Sequence, residues 1–312
     1  MYLEVHKEKW ETYVVLEVDP KAWPDGVGYL RAGLASECVG EYQKAHGLGW
    51  DDALSKNLLK AIREYELIRR DIDSRLEGVR TNEEKESKAP VTPAQHRELL
   101  SRLPKDITNK EVELREAVER FLGRVPLKAG DVITLPPGVL HSLQHGVKVI
   151  EFQTATYERL IAMFAQKVLT QGHWDSDEAI RLMQKAPYTP PMPKVLEEKE
   201  GLKVERIVEF PQFHVNRVNL LPNALFPQET GGGTQYRLIY VTQGKGEMSL
   251  PNGTIYALER GQTCILPANM GELVVYSTGN QRLTYLEAIP VEDPHKQALR
   301  KAEIGSGANG VW

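Results

Sequence analysis

The sequence has few of the features that mark specialised protein classes. Only 2 of its 312 residues are cysteines, Cys38 and Cys264, and they are too far apart to form a paired motif. Two isolated cysteines argue against a disulfide-stapled secreted fold and suit a reducing compartment. Uninterrupted apolar runs stay well below the roughly 18 residues that a membrane span needs. The opening stretch, MYLEVHKEKW, lacks the layout of a signal peptide. We therefore expect a cytoplasmic protein with no membrane partner.

A strong charge imbalance is also missing. The 39 Lys and Arg against 43 Asp and Glu leave a formal net charge of −4. This balance gives no electrostatic reason to expect nucleic acid as a partner. With 41% hydrophobic and 26% charged residues, the composition is that of an ordinary globular protein. At roughly 150 residues per domain, the length favours two domains.

The order of local patterns predicts a mainly β chain that is interrupted by helices. Residues 2–18 are rich in β-branched and aromatic side chains, which favour strands. Apolar residues at helical spacing follow in WDDALSKNLLKAIREYELIRRDI (50–72), whereas the charged RTNEEKESKAPV (80–91) is typical of a solvated loop. Strand patterns resume near Val125, and from about residue 200 short strands alternate with turns, as in a barrel or sandwich.

Three further helix starts are predicted from capping residues. Thr92 precedes Pro93, a favoured pair for an N-cap and a first helical position. Thr108 and Glu111 have the spacing of a capping box. Asp175 or Ser176 would cap a short helix.

These patterns predict two β domains, one insertion and two connecting or terminal segments. The ranges are a first β domain (1–30 and 125–165), a mostly helical insertion (31–124), a short helix with a Pro-rich linker (166–198), a second β domain (199–292) and a polar tail (293–312).

A faint internal repeat links the two β domains. GDVITLP (130–136) returns as GQTCILP (261–267), each with a glycine, five residues and a proline. The first copy continues to His141, whereas the second continues to Glu272 without a histidine. Gln235 and Glu272 stand where ligands would be needed, so we predict no metal in the second domain.

The histidine after the first repeat suggests either a buried core residue or a metal ligand. If His141 binds a metal, its partners must converge on it inside the β domain, and EVHKEKWE near the N-terminus supplies them. Glu4 and His6 are two apart and face the same side of a strand. Glu11 would return on the neighbouring strand after a hairpin at 7–10. Two nitrogens and two oxygens suit zinc, and also iron, manganese, cobalt or nickel. The alternative for Glu4 and its charged neighbours is a solvated strand edge.

Two motifs carry a resemblance to a known family. The spacing from Gly130 to His141 resembles the second conserved cupin motif, and E-x-H-x4-E at 4–11 resembles the first, with Glu4 in place of a histidine. KWETYVVLEVDP (9–20) and RVPLKAGDVITLPPGVLHSLQHGVKVIEFQ (124–153) are similar to segments of type I phosphomannose isomerases. The resemblance implies two cupin-type β-barrel (jelly-roll) domains with a helical insertion. It implies a degenerate second domain and a first domain that lacks the family's N-terminal strands.

The resemblance also implies roles for individual residues. His6, Glu11 and His141 would bind one divalent metal, foremost Zn²⁺, with Glu4 at the position of a liganding glutamine. The catalytic candidates are Lys9, Glu151 and Arg159. Only two residues separate His6 from Lys9, where the family has a long loop, and Tyr2 replaces a serine near the sugar phosphate.

The implied function is a metal-dependent aldose–ketose isomerase of a hexose or hexose phosphate, similar to mannose-6-phosphate isomerase. A metal and a cation would stabilise an enediol while a base moves a proton between C2 and C1. The base is left open between Glu151 and Glu4. Two alternatives are a non-catalytic sugar-binding protein with two cupin domains, which Tyr2 favours, and another metal cupin enzyme such as a dioxygenase.

Overall fold

The computed structural model describes most of the chain. The described residues are 2–87, 98–165, 171–229, 235–268 and 270–291, without the side chains of 80–87 and 229. They divide into two compact units, within Met1–Asp131 plus Leu135–Thr189 and within Val132–Thr134 plus Pro190–Trp312. The domain ranges given above stay a prediction. No helix in the described part of the chain is long and apolar enough to cross a membrane.

The first eight strands of the described chain build two sheets. One sheet has the order β4-β3-β6-β1-β8 and the other β5-β2-β7. The strands are β1 (Tyr2–Val5), β2 (Glu11–Val18), β3 (Gly28–Leu34), β4 (Leu122–Leu127), β5 (Val132–Leu135), β6 (His141–Leu143), β7 (Val147–Gln153) and β8 (Leu160–Phe164).

Helices are inserted mainly between β3 and β4. They are α1 (Ser36–His46), α2 (Trp50–Ser87) and α3 (Lys105–Glu119), with α4 (Ser176–Leu182) following β8. The helical periodicity at 50–72 is confirmed by α2. The loop prediction is wrong for 80–87, where α2 continues, because Glu- and Lys-rich sequence is good helix-forming material even without an apolar stripe.

The predicted helix starts have three different outcomes. The capping box at Thr108 is wrong, because α3 begins at Lys105 after Pro104 and the Thr108 hydroxyl donates to the Lys105 carbonyl oxygen at 3.1 Å. The short helix at 176 is confirmed, although the Asp175 side chain makes no cap hydrogen bond. The predicted start at 92–93 lies outside the described residues.

The later strands form a second pair of sheets. Their orders are β16-β13-β18-β11-β10-β9 and β12-β17-β14-β15. The strands are β9 (Lys194–Lys199), β10 (Leu202–Glu209), β11 (Phe213–Leu220), β12 (Leu225–Glu229), β13 (Arg237–Gln243), β14 (Lys245–Ser249), β15 (Ile255–Glu259), β16 (Thr263–Leu266), β17 (Glu272–Ser277) and β18 (Leu283–Pro290).

Backbone hydrogen bonds show that the faint repeat is a structural duplication. The Gly130 amide donates to the Val15 carbonyl oxygen at 2.8 Å, and the Gly261 amide donates to that of Val241 at the same distance. Both glycines have positive φ, 92° and 87°, a conformation that favours glycine. Strands β2 and β5 therefore correspond to β13 and β16.

The turns before these glycine-led strands share a side-chain bond as well. The Lys128 amide donates to Asp131 Oδ2 at 2.7 Å, and the Glu259 amide donates to Gln262 Oε1 at 2.8 Å. The same turn is thus closed by an Asp side chain in one copy and a Gln side chain in the other. The two copies therefore share the hydrogen bond of the turn although their sequences differ.

The helical insertion decides which way β1 faces. Leu3 and Val5 are fully buried in a cluster with helix residues that include Leu58 of α2. Because side chains alternate along a strand, Glu4 is directed to the opposite face of the sheet. On that sheet it lies directly opposite His141 of β6.

Candidate metal centre

Four predicted ligands converge from three strands and one turn. Glu4 of β1 and His141 of β6 are register partners, with 3.8 Å between Glu4 Oε1 and His141 Nε2. His6 follows the end of β1, and Glu11 is the first residue of β2. The Glu11 carboxylate bridges the two rings, with Oε1 3.2 Å from His6 Nε2 and Oε2 3.3 Å from His141 Nε2.

The predicted hairpin between His6 and Glu11 is wrong. β1 pairs with β6 and β8, whereas β2 pairs with β7 and β5, so the two strands belong to different sheets. The 7–10 segment therefore crosses from one sheet to the other. Glu11 meets His6 across the space between the sheets, because side chains on the inner faces of two sheets converge there.

These side chains are withdrawn from solvent. His6, Glu11 and His141 are 2%, 2% and 1% exposed, while the Glu4 side chain is 18% exposed. A buried carboxylate is costly unless positive charge and hydrogen bonds compensate it. At Glu11 part of this compensation comes from Lys9, whose Nζ contacts the carboxylate, and the rest must come from the two rings or from a bound cation.

Backbone carbonyl groups set the orientation of both imidazole rings. His6 Nδ1 lies 3.0 Å from the Glu158 carbonyl oxygen, and His141 Nδ1 lies 2.9 Å from that of Val139. A carbonyl oxygen only accepts, so each Nδ1 carries a proton by this assignment. In a neutral ring the Nε2 lone pair then points into the cluster, as metal-binding histidines require.

The donor set fits a divalent cation. His6 Nε2 is buried and makes no hydrogen bond, although Glu11 Oε1 lies 3.2 Å from it. Ligand atoms of Glu4, His6 and His141 all lie within 4.8 Å of one another. An unpartnered buried ring nitrogen beside carboxylates is the arrangement that a nitrogen- and oxygen-liganded metal such as zinc satisfies.

Electrostatics keep the bridging carboxylate ionised. Burial by itself would raise the pKa of Glu11, but the His141 and His6 rings outweigh it and hold that pKa well below its usual range. Burial likewise opposes charge on His141, yet Glu11 and Glu4 raise the pKa of this ring. Without a cation the cluster accordingly attracts protons, and metal binding would compete with them.

Tyr13 is a site residue that the sequence reasoning missed. Its hydroxyl donates to Glu11 Oε2 at 3.1 Å and lies 3.4 Å from His141 Nε2. Burial, and then the charge of Glu11, raise the pKa of Tyr13 far above its ordinary value, so the phenol remains a hydrogen-bond donor. A signal was available, because Tyr13 is two residues after Glu11 and faces the same side of β2.

Replacing Tyr13 by phenylalanine should weaken metal binding about 10-fold, the lower end of the effect of losing an outer hydrogen-bond partner of a ligand. The buried ring would remain, so the fold should be unchanged. Isothermal titration with Zn²⁺ measures the effect. Tyr65→Phe is the matched control, since the buried Tyr65 loses a comparable 2.8 Å bond to Glu111 in the helical insertion. Equal zinc affinities for the two variants would contradict the role of Tyr13.

A pocket of about 320 Å³ adjoins the cluster, and its lining includes Lys9, Gln153, Tyr157, Glu158 and Arg159. Lys9 Nζ lies 2.5 Å from Glu11 Oε1, and its side chain is 12% exposed. The position of Lys9 at the pocket favours the predicted role over a solvated surface lysine. Arg159 places its guanidinium carbon 5.5 Å from the centre of the Tyr2 ring.

Glu151 lies on β7 opposite Tyr13. Desolvation of its carboxyl group, followed by the charge of Glu11, raises the pKa of Glu151 to about 7. The residue as a whole is exposed, and the interaction of its carboxyl group with Glu11 places Glu151 at the edge of the cluster. The structure therefore brings all seven predicted site residues to the candidate metal centre, its edge or the adjoining pocket.

The histidine on the loop after β6 is separate from the cluster. His145 is exposed, and its carbonyl oxygen accepts from Trp23 Nε1 at 2.8 Å.

Comparisons with known proteins relate the chain to mannose-6-phosphate isomerases. The mannose-6-phosphate isomerase ManA of Bacillus subtilis (strain 168) is 29% identical over 176 residues, which cover 53% of this chain and 53% of the relative. The match thus spans about half the length of this curated relative. No family model matches the chain.

Solved structures extend the likeness over the whole fold. The crystal structure of the B. subtilis mannose 6-phosphate isomerase aligns with 92% of this chain and 70% of its own, at a TM-score of 0.56 and 14% identity. A zinc-bound mannose 6-phosphate isomerase aligns with 92% of this chain and 75% of its own, at a TM-score of 0.58 and 12% identity. The predicted resemblance is confirmed, and so is a mainly β, cupin-type fold with a long helical insertion.

Proposed function

We propose that this protein is a metal-dependent aldose–ketose isomerase of a hexose or hexose phosphate, with mannose 6-phosphate to fructose 6-phosphate as the leading reaction. The observation that carries the proposal is the convergence of His6 Nε2 and His141 Nε2 on the Glu11 carboxylate beside a pocket that contains Lys9. The sequence similarity to a mannose-6-phosphate isomerase supports the choice of reaction.

Glu4, His6, Glu11 and His141 would hold one divalent cation, with Zn²⁺ as the leading candidate. A cation held there supplies Lewis-acid stabilisation of negative charge on the sugar oxygens. The carbonyl oxygens of Glu158 and Val139 hold the two rings in the required orientation. The Tyr13 hydroxyl restrains one oxygen of Glu11.

The remaining side chains fit the needs of proton transfer between C2 and C1. Lys9 and Arg159 are cations in the pocket lining and would stabilise an enediolate oxygen as it forms. A carboxylate must take the proton from one carbon and return it to the next. The two candidates for this base are Glu151 at the edge of the cluster and Glu4, which would itself be linked to the metal. The pocket volume of about 320 Å³ falls at the lower end of the range for small-molecule sites.

The direct experiment is an isomerisation assay in D₂O on the zinc-loaded protein, with mannose 6-phosphate and unphosphorylated mannose as substrates. We expect ketose formation, and deuterium at the carbon that receives the proton. Lys9→Ala should lower kcat by about 100-fold, within the usual range for one electrostatic stabiliser. Lys7→Ala is the matched control, since Lys7 is exposed and pairs with Glu178 outside the pocket.

Two other outcomes would replace this proposal. Thermal stabilisation by the sugar without product would identify a non-catalytic sugar-binding protein. Oxygen uptake that depends on Fe²⁺ would identify a dioxygenase. A Lys9→Ala variant as active as Lys7→Ala would remove Lys9 from the mechanism.

A further inference from the structure

We infer that Glu158 is a positioning residue that joins the metal-binding turn to the pocket wall, holding His6 and Lys9 in place. This inference rests on the metal site of the proposed function. Glu158 contacts the 6–9 segment with both its side chain and its backbone.

The Glu158 carboxylate first holds the backbone of the turn. Its Oε1 accepts the amide of Glu8 at 2.8 Å and the amide of Lys9 at 3.2 Å. Both amides lie in the segment that crosses from β1 to β2, so neither of them takes part in the hydrogen bonds of a sheet. Although partial burial acts in the opposite direction, the backbone amides of Glu8, Lys9 and Lys7 lower the pKa of Glu158, so the acceptor is a carboxylate. Charged acceptors make the stronger hydrogen bonds.

The Glu158 backbone then holds the ring of the ligand. Its carbonyl oxygen accepts the Nδ1 proton of His6 at 3.0 Å, which directs Nε2 into the cluster. A movement of the 158 backbone would therefore rotate the ring as well as shift the turn. Glu158 thus acts on both the position and the orientation of His6, whose own carbonyl oxygen also accepts the Gly138 amide at 2.8 Å.

The neighbouring residues extend this contact by a pair of hydrogen bonds. The Trp10 amide donates to Thr154 Oγ1 at 3.1 Å, and the Thr154 amide donates to the Trp10 carbonyl oxygen at 3.0 Å. Residues 154–158 therefore run along the crossing segment from Trp10 back to His6. Tyr157 and Arg159, on either side of Glu158, line the pocket.

The exposure of the segment between His6 and Lys9 gives the Glu158 contact its importance. Two residues, Lys7 and Glu8, separate His6 from Lys9, and both are exposed. An exposed segment that buries no side chains of its own is readily displaced. The Glu158 contact, made across a sequence separation of 150 residues, restrains the backbone of this segment, whereas the ion pair of Lys7 with Glu178 involves only an exposed side chain.

The test compares Glu158→Ala with Glu158→Gln and with Glu8→Ala. Glu158→Ala removes the acceptor, and we expect about 10-fold weaker Co²⁺ binding, the effect of losing an outer-shell partner. Its Co²⁺ absorption spectrum should also change, because the turn loses its side-chain hydrogen bonds and the backbone carbonyl of residue 158 then holds the His6 ring less firmly. Glu158→Gln keeps one acceptor oxygen and should fall between wild type and Glu158→Ala. Glu8→Ala removes the same charge from an exposed neighbour and should bind like wild type.

A second readout needs neither metal nor substrate. Hydrogen exchange of the Glu8 and Lys9 amides should become at least several-fold faster in both Glu158 variants and stay unchanged in Glu8→Ala. This measurement also decides the matter if Glu158→Ala folds poorly, since Glu158→Gln can be used alone. Unchanged exchange, or equal Co²⁺ affinity in all variants, would overturn the inference.

The design separates this inference from the proposed function. A wild-type protein that binds Co²⁺ but isomerises no sugar would defeat the function alone, and the Glu158 comparison would still stand. A wild-type protein that binds no divalent cation would overturn both.

Discussion

His141→Ala is expected to abolish stoichiometric metal binding while the chain remains folded. His141 supplies a nearly fully buried nitrogen that faces the Glu11 carboxylate at 3.3 Å and Glu4 at 3.8 Å. If His141 is a ligand as proposed, its removal should lower the metal affinity by more than the roughly 100-fold upper effect of changing a residue that only supports a ligand. Elemental mass spectrometry of the purified variant gives the metal content directly.

Thermal unfolding supplies an independent measure of the same loss. A cation that binds only the folded state stabilises it by about 4 kcal/mol at 1,000 times its Kd. Added Zn²⁺ should therefore raise the Tm of the wild type and leave that of His141→Ala unchanged. His145→Ala, an exposed histidine on the loop after β6, should behave like wild type. Retention of one tightly bound ion by His141→Ala would defeat the site assignment.

Arg237→Ala is expected to lower the free energy of unfolding by about 3 kcal/mol, the lower end of the cost of stripping a buried ion pair of one partner. Glu287 is 3% exposed, and its Oε1 accepts from Arg237 Nη1 at 2.7 Å. Asn216 Nδ2, at 3.3 Å, is a long and neutral donor to the other oxygen. Without Arg237, the buried carboxylate would lose its direct charged partner and keep only Asn216 and the more distant charge of Arg206. Urea denaturation measures the difference.

The matched control for this pair is Lys245→Ala. Lys245 and Glu259 form an exposed pair at 3.0 Å, and such pairs contribute less than about 1 kcal/mol. Replacing both Arg237 and Glu287 by methionine should recover much of the lost stability, because the uncompensated charge is then gone. A loss below 1 kcal/mol in Arg237→Ala would mean that Glu287 is satisfied by other groups.

The duplication explains why this ion pair occurs in the second pair of sheets. Val15 and Val241 are equivalent by their hydrogen bonds, so Glu11 and Arg237, each four residues earlier, are equivalent too. Arg237, and not Gln235, thus stands at the position of the bridging ligand. A guanidinium offers only donors and binds no metal cation. Its partner Glu287 corresponds to Glu151, because Tyr13 pairs with Glu151 as Ile239 pairs with Glu287.

Much of the fold could be predicted because the signals are local. Strand-forming residues before Pro20, helical spacing in 50–72 and the glycine-led repeat all act within a few residues. Predictions failed where local composition is ambiguous. The charged residues 80–87 suit a loop or an exposed helix equally well, and Thr108 resembles a cap although Pro104 precedes the helix.

The ligands of the candidate site could be proposed from residue type and spacing. The course of the chain between His6 and Glu11 could not be predicted in this way. The hairpin at 7–10 was the simplest local solution, and the true solution depends on β7 as the partner of β2. Glu158 left no signal at all, because it acts on backbone amides and on a ring that are about 150 residues away.

The sequence by itself determined the residues that are able to bind a cation and the strand-and-turn frame that carries them, since side-chain chemistry and backbone preference are local properties. The tertiary structure alone decided that two sheets face each other, so that Glu11 bridges both rings. It also decided that Glu158 restrains the turn and that Arg237 replaces the ligand in the second copy. These features depend on contacts between distant segments, which form only when burial of the apolar faces brings the sheets and helices together.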